Sequence, residues 1–260
     1  MDSTFQVSNR KIFRKLGYFT DQEGIMSRYI SEAEQWKSHL ENTKASILQE
    51  AADKDTQKAA ILGSGWLLDV PFEKLAERFN ELWLFDIKHP AQIRKKIKGF
   101  KNIRLMETDI SGFATPIYEE ARSMRKTKSE IDLTNLKPRL DFSLKDFDFV
   151  VSCNILNQLD IILIDYLRKC CKITTEFELR LRRLIQETHI GLLPKLKSCL
   201  ISDVEELSVD KEGKIIHKKP LVYTDKLPQN LNNEWIWHFD NHSSYRLHCN
   251  TWFKVVAVNI

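Results

Sequence analysis

The residues best placed to do chemistry fall at four points along the chain. Leu62-Gly63-Ser64-Gly65 closes a short apolar run, AAILGSG, at 59–65. Glycines at such a turn allow a tight bend and let the backbone come close to a ligand. Asp86 ends the next apolar run, ELWLFDI at 81–87, about 20 residues further on. A carboxylate at that spacing can accept two hydrogen bonds from the neighbouring hydroxyls of a ribose. The alternative is a helix cap or a surface acid beside His89-Pro90. Asp109 and Ile110 end the run NIRLMETDI at 102–110, and Asn154 stands near the end of FDFVVSCNIL at 147–156. In open α/β sheets, ligands bind outside the carboxyl ends of the strands, near the switch in strand order. All four points fall at such ends.

The elements that must position these residues can be read from the alternation of patterns. The runs at 59–65 and 81–87 are short and apolar, as buried parallel strands are, and 102–110, 147–156 and 197–204 read as a third, fourth and fifth strand. Between them lie segments of helical periodicity at 69–79, 91–99, 159–171 and 175–193. Short strands alternating with helices predict βαβ units and a parallel sheet. The C-terminal part differs. EWIWHF at 234–239 and the run at 245–260 are strand-like with no helix between them, so they should pair as an antiparallel hairpin. Residues 20–52 read as one long helix, and 114–145 as a helix followed by a long loop. The expected architecture is a Rossmann-like three-layer sandwich. Its mostly parallel seven-stranded sheet ends in an antiparallel hairpin, with an N-terminal helical extension at 1–56 ahead of a domain at 57–260.

In this order and spacing, the motifs resemble those of class I S-adenosylmethionine (SAM)-dependent methyltransferases. The resemblance covers roughly residues 58–260. It implies that Gly63-Ser64-Gly65 lies under the methionine moiety of the cofactor and that Asp86 grips its ribose. It implies further that Asp109-Ile110 sits beside the adenine and that Asn154 faces the methyl donor and acceptor. SAM would be the cofactor, S-adenosylhomocysteine the product, and a small or medium molecule the methyl acceptor. The family usually reads acid-x-Gly-x-Gly-x-Gly. This chain has Ile61 at the acidic position and Leu67 at the third glycine. Asp69 either replaces part of the lost polarity or caps the next helix, the latter favoured by Pro71 at a first-turn position. The dinucleotide fingerprint G-x-G-x-x-G fails too, at Leu68. The irregular glycine loop leaves a second reading open: a non-catalytic module that binds a nucleotide or a partner on the same fold.

Further candidates lie outside the motifs. Asn157 and Gln158 either orient an acceptor or cap the following helix. Arg28, Tyr29, Glu32, Trp36, His39 and Thr43 recur at three- and four-residue steps, a stripe that either lids the pocket or packs Trp36 on the core. Trp36 and His39 are the substrate-facing candidates of that stripe. A general base is not legible; His39, His189 and Tyr118 are the options. His238, Asp240 and His242 could share one face of a strand, but the turn-forming Asn241-His242-Ser243-Ser244 would scatter them, so no metal site is expected.

The totals fit this picture. The chain has 260 residues, 42% of them hydrophobic and 29% charged, which is enough for a packed core. Forty basic residues against 36 acidic ones give only +4. That bias does not call for nucleic acid. An RNA-binding variant of the enzyme would rest on the clusters Arg94–Lys101 and Arg122–Lys128 alone. Five cysteines without a CxxC pair argue against a disulfide framework or structural zinc, and for a reducing, cytoplasmic setting. No secretory leader and no membrane span of about 18 apolar residues is expected.

Overall fold

A computed structural model describes residues 3–127 and 133–260. Its centre is β1 (Lys58–Leu62), whose residues Ala59 to Leu62 are all fully buried. Successive side chains point to opposite faces of a sheet. Ala59 and Ile61 join the apolar cluster on one face, and Ala60 and Leu62 the cluster on the other. A strand covered on both sides has no polar alternation to show, which is why AAIL reads as a plain apolar run.

Around β1 stand β2 (Glu81–Asp86), β3 (Ile103–Glu107), β4 (Phe149–Cys153), β5 (Ser198–Val209), β6 (Ile215–Pro220), β7 (Asn233–Asp240) and β8 (Asn250–Asn259). The order along the sheet is β3-β2-β1-β4-β5-β8-β7, with β6 on β5. Pairings among β1 to β5 are parallel, while β8 runs antiparallel to both β5 and β7. This is the expected Rossmann-like sandwich with its closing hairpin. The sheet has eight strands rather than seven. The extra strand, β6, folds back on the second half of β5, beyond the four positions at which β5 pairs with β4. The turn that reverses it is held by Asp210, whose Oδ1 accepts from the N–H groups of Glu212 and Lys214.

The helices are α1 (Ser3–Leu16), α2 (Tyr18–Ala51), α3 (Phe72–Arg78), α4 (Ala91–Lys96), α5 (Ala114–Thr127), α6 (Gln158–Cys170) and α7 (Thr175–Leu192). A 3-10 turn, Ile97–Gly99, follows α4. The helix expected at 20–52 is present as α2. Gly17, in a left-handed conformation at φ 101°, separates it from α1, which the sequence reading did not assign. A second break interrupts α2 at Glu32 (φ −117°, ψ 20°). Beyond that break Trp36, Ile47 and Ala51 pack into the cluster on one face of the sheet. Phe13 and Leu16 of α1 join a separate cluster with α5, α6 and α7. No helix among the described residues is long and apolar enough to cross a membrane.

Candidate functional site

A cavity of about 180 Å³ opens beyond the carboxyl ends of β1, β2 and β4. β1 sends one connection to β2 and is flanked on its other side by β4, so the cavity lies where the strand order switches. Gly63, Ser64, Gly65, Asp86, Asp109, Ile110 and Asn154 all line it, as do Trp36, His39 and Gln158. Asn157 does not; its Nδ2 instead donates to Asp203 Oδ2 at 3.3 Å, inside the protein. It stands at the N-cap of α6 but its side chain makes no capping bond. Gln158 turns back and donates to the Asn154 carbonyl at 2.7 Å.

The two glycines of the loop are required for different reasons. Gly63 has φ +83°, and a Cβ there would lie 2.1 Å from Ile155 Cγ2 and 2.7 Å from the Cys153 carbonyl oxygen. It is glycine because the segment after β4 passes directly over it. Gly65 has φ +36°, and a Cβ there would meet only Asp86 Oδ2, at 3.6 Å. Its N–H donates to that same oxygen at 2.7 Å. Ser64 is buried; its hydroxyl reaches the Phe85 carbonyl at 3.2 Å and His89 Nε2 at 3.0 Å. Where the family pattern has its third glycine, Leu67 adopts a left-handed φ of 53°. The backbone conformation that glycine favours is therefore kept without the glycine, at a cost of about 1 kcal/mol or more.

Asp86 ties the glycine loop to the segment after β2 and to α2. Its Oδ1 accepts from Ile87 N–H at 2.8 Å and from Gln22 Nε2 at 3.0 Å. Gln22 also donates to the Lys88 carbonyl at 2.7 Å, and its own carbonyl accepts from Trp66 Nε1 at 2.8 Å. Burial pushes the Asp86 carboxyl up to about 6, although the N–H groups of Gly65, Ile87 and Lys88 pull the other way. Asp109 lines the neighbouring wall. Its carboxylate accepts from the Ser111 N–H and hydroxyl and from the Ala114 N–H, so it fastens the start of α5. Burial raises its pKa as well.

The other end of the cavity is aromatic and polar together. Asn154 has φ 51°, a conformation that asparagine tolerates better than most residues. Its Nδ2 donates to Asp69 Oδ2 at 2.7 Å and lies 3.4 Å from His39 Nε2. The His39 ring stacks on Trp237 at 3.9 Å, and its Nδ1 accepts from Trp235 Nε1 at 3.1 Å. Burial pushes His39 down to about 3, so the ring is neutral. Asp69 is not the helix cap favoured from the sequence. Pro71 takes the N-cap of α3 without a side-chain bond, and Asp69 faces the cavity, its carboxyl raised by burial.

The remaining sequence candidates lie elsewhere. His189 is buried against Ser152, 2.8 Å away, and Tyr118 accepts from Lys15 Nζ at 3.0 Å; neither lines the cavity. Of the α2 stripe, Arg28 stacks between Phe239 and Tyr245. Glu32 is fully buried, its Oε1 accepting from Asn241 N–H and facing His242 Nδ1. Tyr29 packs on Trp36, whose Nε1 donates to the Phe239 carbonyl. His238 stacks on Trp252 and Asp240 fastens the β7–β8 loop, so the H-x-D-x-H residues go to separate partners. Among the described residues, no three His, Cys, Asp or Glu side chains converge on a metal position. In the basic clusters Arg94 pairs with Glu107 and Arg122 lies over Tyr118, while Lys128 falls outside the described residues.

Sequence reading missed Tyr18, Asp21, Gln22, Trp66 and Trp237 as cavity residues, and Trp235 as the partner of His39. The alternation in EWIW carried a usable signal: residues two apart share a face, so Trp235 and Trp237 point the same way. Nothing local marked Gln22, because only the fold brings α2 over β2.

No family model and no curated protein matches the chain. Among solved structures it is similar to the 1,6-didemethyltoxoflavin-N1-methyltransferase of Burkholderia thailandensis, bound to 1,6-didemethyltoxoflavin and S-adenosylhomocysteine. That pair is 9% identical over 92% of this chain and 87% of the other, with a TM-score of 0.44. It is also similar to the N-methyltransferase NodS of Bradyrhizobium japonicum WM9 in complex with S-adenosylhomocysteine, 11% identical over 83% of this chain and 85% of that one, with a TM-score of 0.40. The class of fold follows from the sheet itself. Five parallel strands in the order β3-β2-β1-β4-β5, closed by a hairpin whose last strand is inserted antiparallel, make the Rossmann-like fold of class I methyltransferases.

Proposed function

We propose that the chain is a SAM-dependent methyltransferase acting on a small-molecule acceptor. The observation that supports it most is the junction of Gly65 and Asp86. A glycine loop at the end of β1 and an acid at the end of β2 are hydrogen-bonded to each other on the rim of the switch-point cavity. The residues fit the cofactor: at Gly65 the loop has no neighbour but Asp86 Oδ2 within 4 Å of where a Cβ would stand, and Asp86 lines the cavity. Gly63 to Gly65 would hold the methionine end, Asp86 the ribose, and Ile110 the adenine edge. Bound there, SAM supplies an electrophilic methyl group on positive sulfur.

The chain's own part is alignment and exclusion of water. The segment from Tyr18 to Ile25 covers the ribose end of the cavity, and the N-terminal helices α1 and α2 serve as its lid. In this arrangement Gln22 occupies an oxygen of Asp86 and gives it up when ribose hydroxyls arrive. His39 cannot act as the base through Nδ1, because Trp235 already donates to that lone pair.

The test is titration calorimetry with SAM and with S-adenosylhomocysteine. Binding is expected for the natural chain, and Asp86→Ala should weaken it about 10- to 100-fold, the worth of hydrogen bonds to a charged group. No binding of either ligand to the natural chain overturns the proposal and leaves the fold as a binding module for something else.

A further inference from the structure

Two buried polar groups at the aromatic end of the cavity are left without partners, and their chemistry defines what they would accept. The first is on His39. An indole N–H only donates, so the bond from Trp235 Nε1 fixes a lone pair on His39 Nδ1. The neutral ring then carries its proton on Nε2. That nitrogen faces Asn154 Nδ2 at 3.4 Å. A carboxylate only accepts, so the 2.7 Å contact with Asp69 Oδ2 fixes the Asn154 amide with its NH₂ toward Asp69. Two donors facing each other make no bond, and the His39 Nε2–H has no acceptor. The second group is the Asn154 carbonyl oxygen, Oδ1, which is buried and has no hydrogen-bond partner. Both residues line the cavity beside Trp36, Leu40 and Ile155.

A donor and an acceptor held side by side complement a group that carries C=O next to N–H. Aromatic and aliphatic walls complement a flat, apolar body. Stacking of His39 on Trp237, with Trp36 edge-on to Trp237, keeps the donor in place before any ligand arrives. Buried groups of this kind reject analogues that lack their partner far more sharply than apolar walls reject a change of size. Resting on the methyl-transfer reading for the identity of the site, we infer that its aromatic end binds an uncharged, planar nitrogen heterocycle of the lactam type. Its carbonyl takes the His39 Nε2–H, and its ring N–H donates to Asn154 Oδ1.

The probe is 2-quinolone, a bicyclic lactam, with N-methyl-2-quinolone, which lacks the N–H, and naphthalene, which lacks both polar groups. Quenching of tryptophan fluorescence reports binding, since Trp36, Trp66 and Trp237 line the cavity. Expected is binding of 2-quinolone to the natural chain, at least about tenfold weaker binding of N-methyl-2-quinolone, and none of naphthalene. His39→Phe, which keeps a flat ring but loses the donor, should weaken 2-quinolone about tenfold. The ligand series on the natural chain stands without the variant, should the variant fold poorly. Equal affinity for 2-quinolone and N-methyl-2-quinolone, or no binding of 2-quinolone, overturns the inference. Calorimetry with SAM reads the other end of the cavity, so failure of this ligand class and failure of the methyl-transfer reading give different results.

Discussion

At the scale of single residues, the glycine loop shows how a motif can be legible and its cause hidden. The sequence marks Gly63 and Gly65 alike, as places where backbone approaches ligand. The structure gives them unlike duties, one set by the chain segment after β4 and the other by Asp86. Substitution should separate them. Gly63→Ala forces a left-handed alanine and drives Cβ into Ile155 and a backbone oxygen, and should cost about 2–4 kcal/mol in urea denaturation. Gly65→Ala has only a mild conformational penalty and an ordinary contact, and should cost about 1 kcal/mol. Equal losses would mean that the passage over Gly63 relaxes freely. Asp86 was readable because its partners are local in the pattern of strand ends. Asp69 was misassigned because Pro71 resembles a first-turn signal, whereas the buried carboxylate had a better partner in Asn154, distant in sequence.

At the scale of elements, helices and buried strands were legible where their periodicity met a core. The two missed elements lack that signature. In β6 five of six residues are exposed, so no hydrophobic alternation announces it; β5 and the Asp210 turn hold it in place. α1 was obscured because 1–19 carries many polar residues, and its packing on α5 and α6 is tertiary. The element with the clearest functional consequence is the first part of α2, bounded by the left-handed Gly17 and the break at Glu32. If Gln22 competes with ribose for Asp86, removing it should tighten cofactor binding. Gln22→Ala is expected to raise affinity for S-adenosylhomocysteine about 5- to 10-fold by calorimetry, since one hydrogen bond to a charged group no longer has to break. An unchanged affinity would show that the contact is not in competition; a weakened one would make Gln22 a cofactor ligand.

At the scale of the whole molecule, burial has set two groups of ionisable residues against each other. Burial raises the acids Asp86 to about 6 and Asp160 and Asp203 to about 7, Asp160 even with Arg182 beside it. An acid whose folded pKa lies above its unfolded value stabilises the fold fully below the unfolded value, near 3.8, and loses that contribution as pH rises through the folded one. Burial also lowers His39 to about 3 and His89 and His189 to about 4. Their contribution is present above the unfolded value of 6.5 and is lost as pH falls toward the folded ones. Between about pH 4.5 and 6 the two slopes oppose each other, and stability should change little. Removing one member exposes the slope. Asp203 offers the cleanest case, because it lies outside the cavity lining and its Oδ1 has no partner. Relative to the natural chain, Asp203→Asn should gain stability steadily as pH rises from 4 to 8, at up to about 1.4 kcal/mol per unit until the folded acid ionises. Urea denaturation at pH 4, 6 and 8 measures it. A difference that stays constant across that range would mean that Asp203 ionises as readily inside the fold as outside it, and that the middle of β5 is open to water.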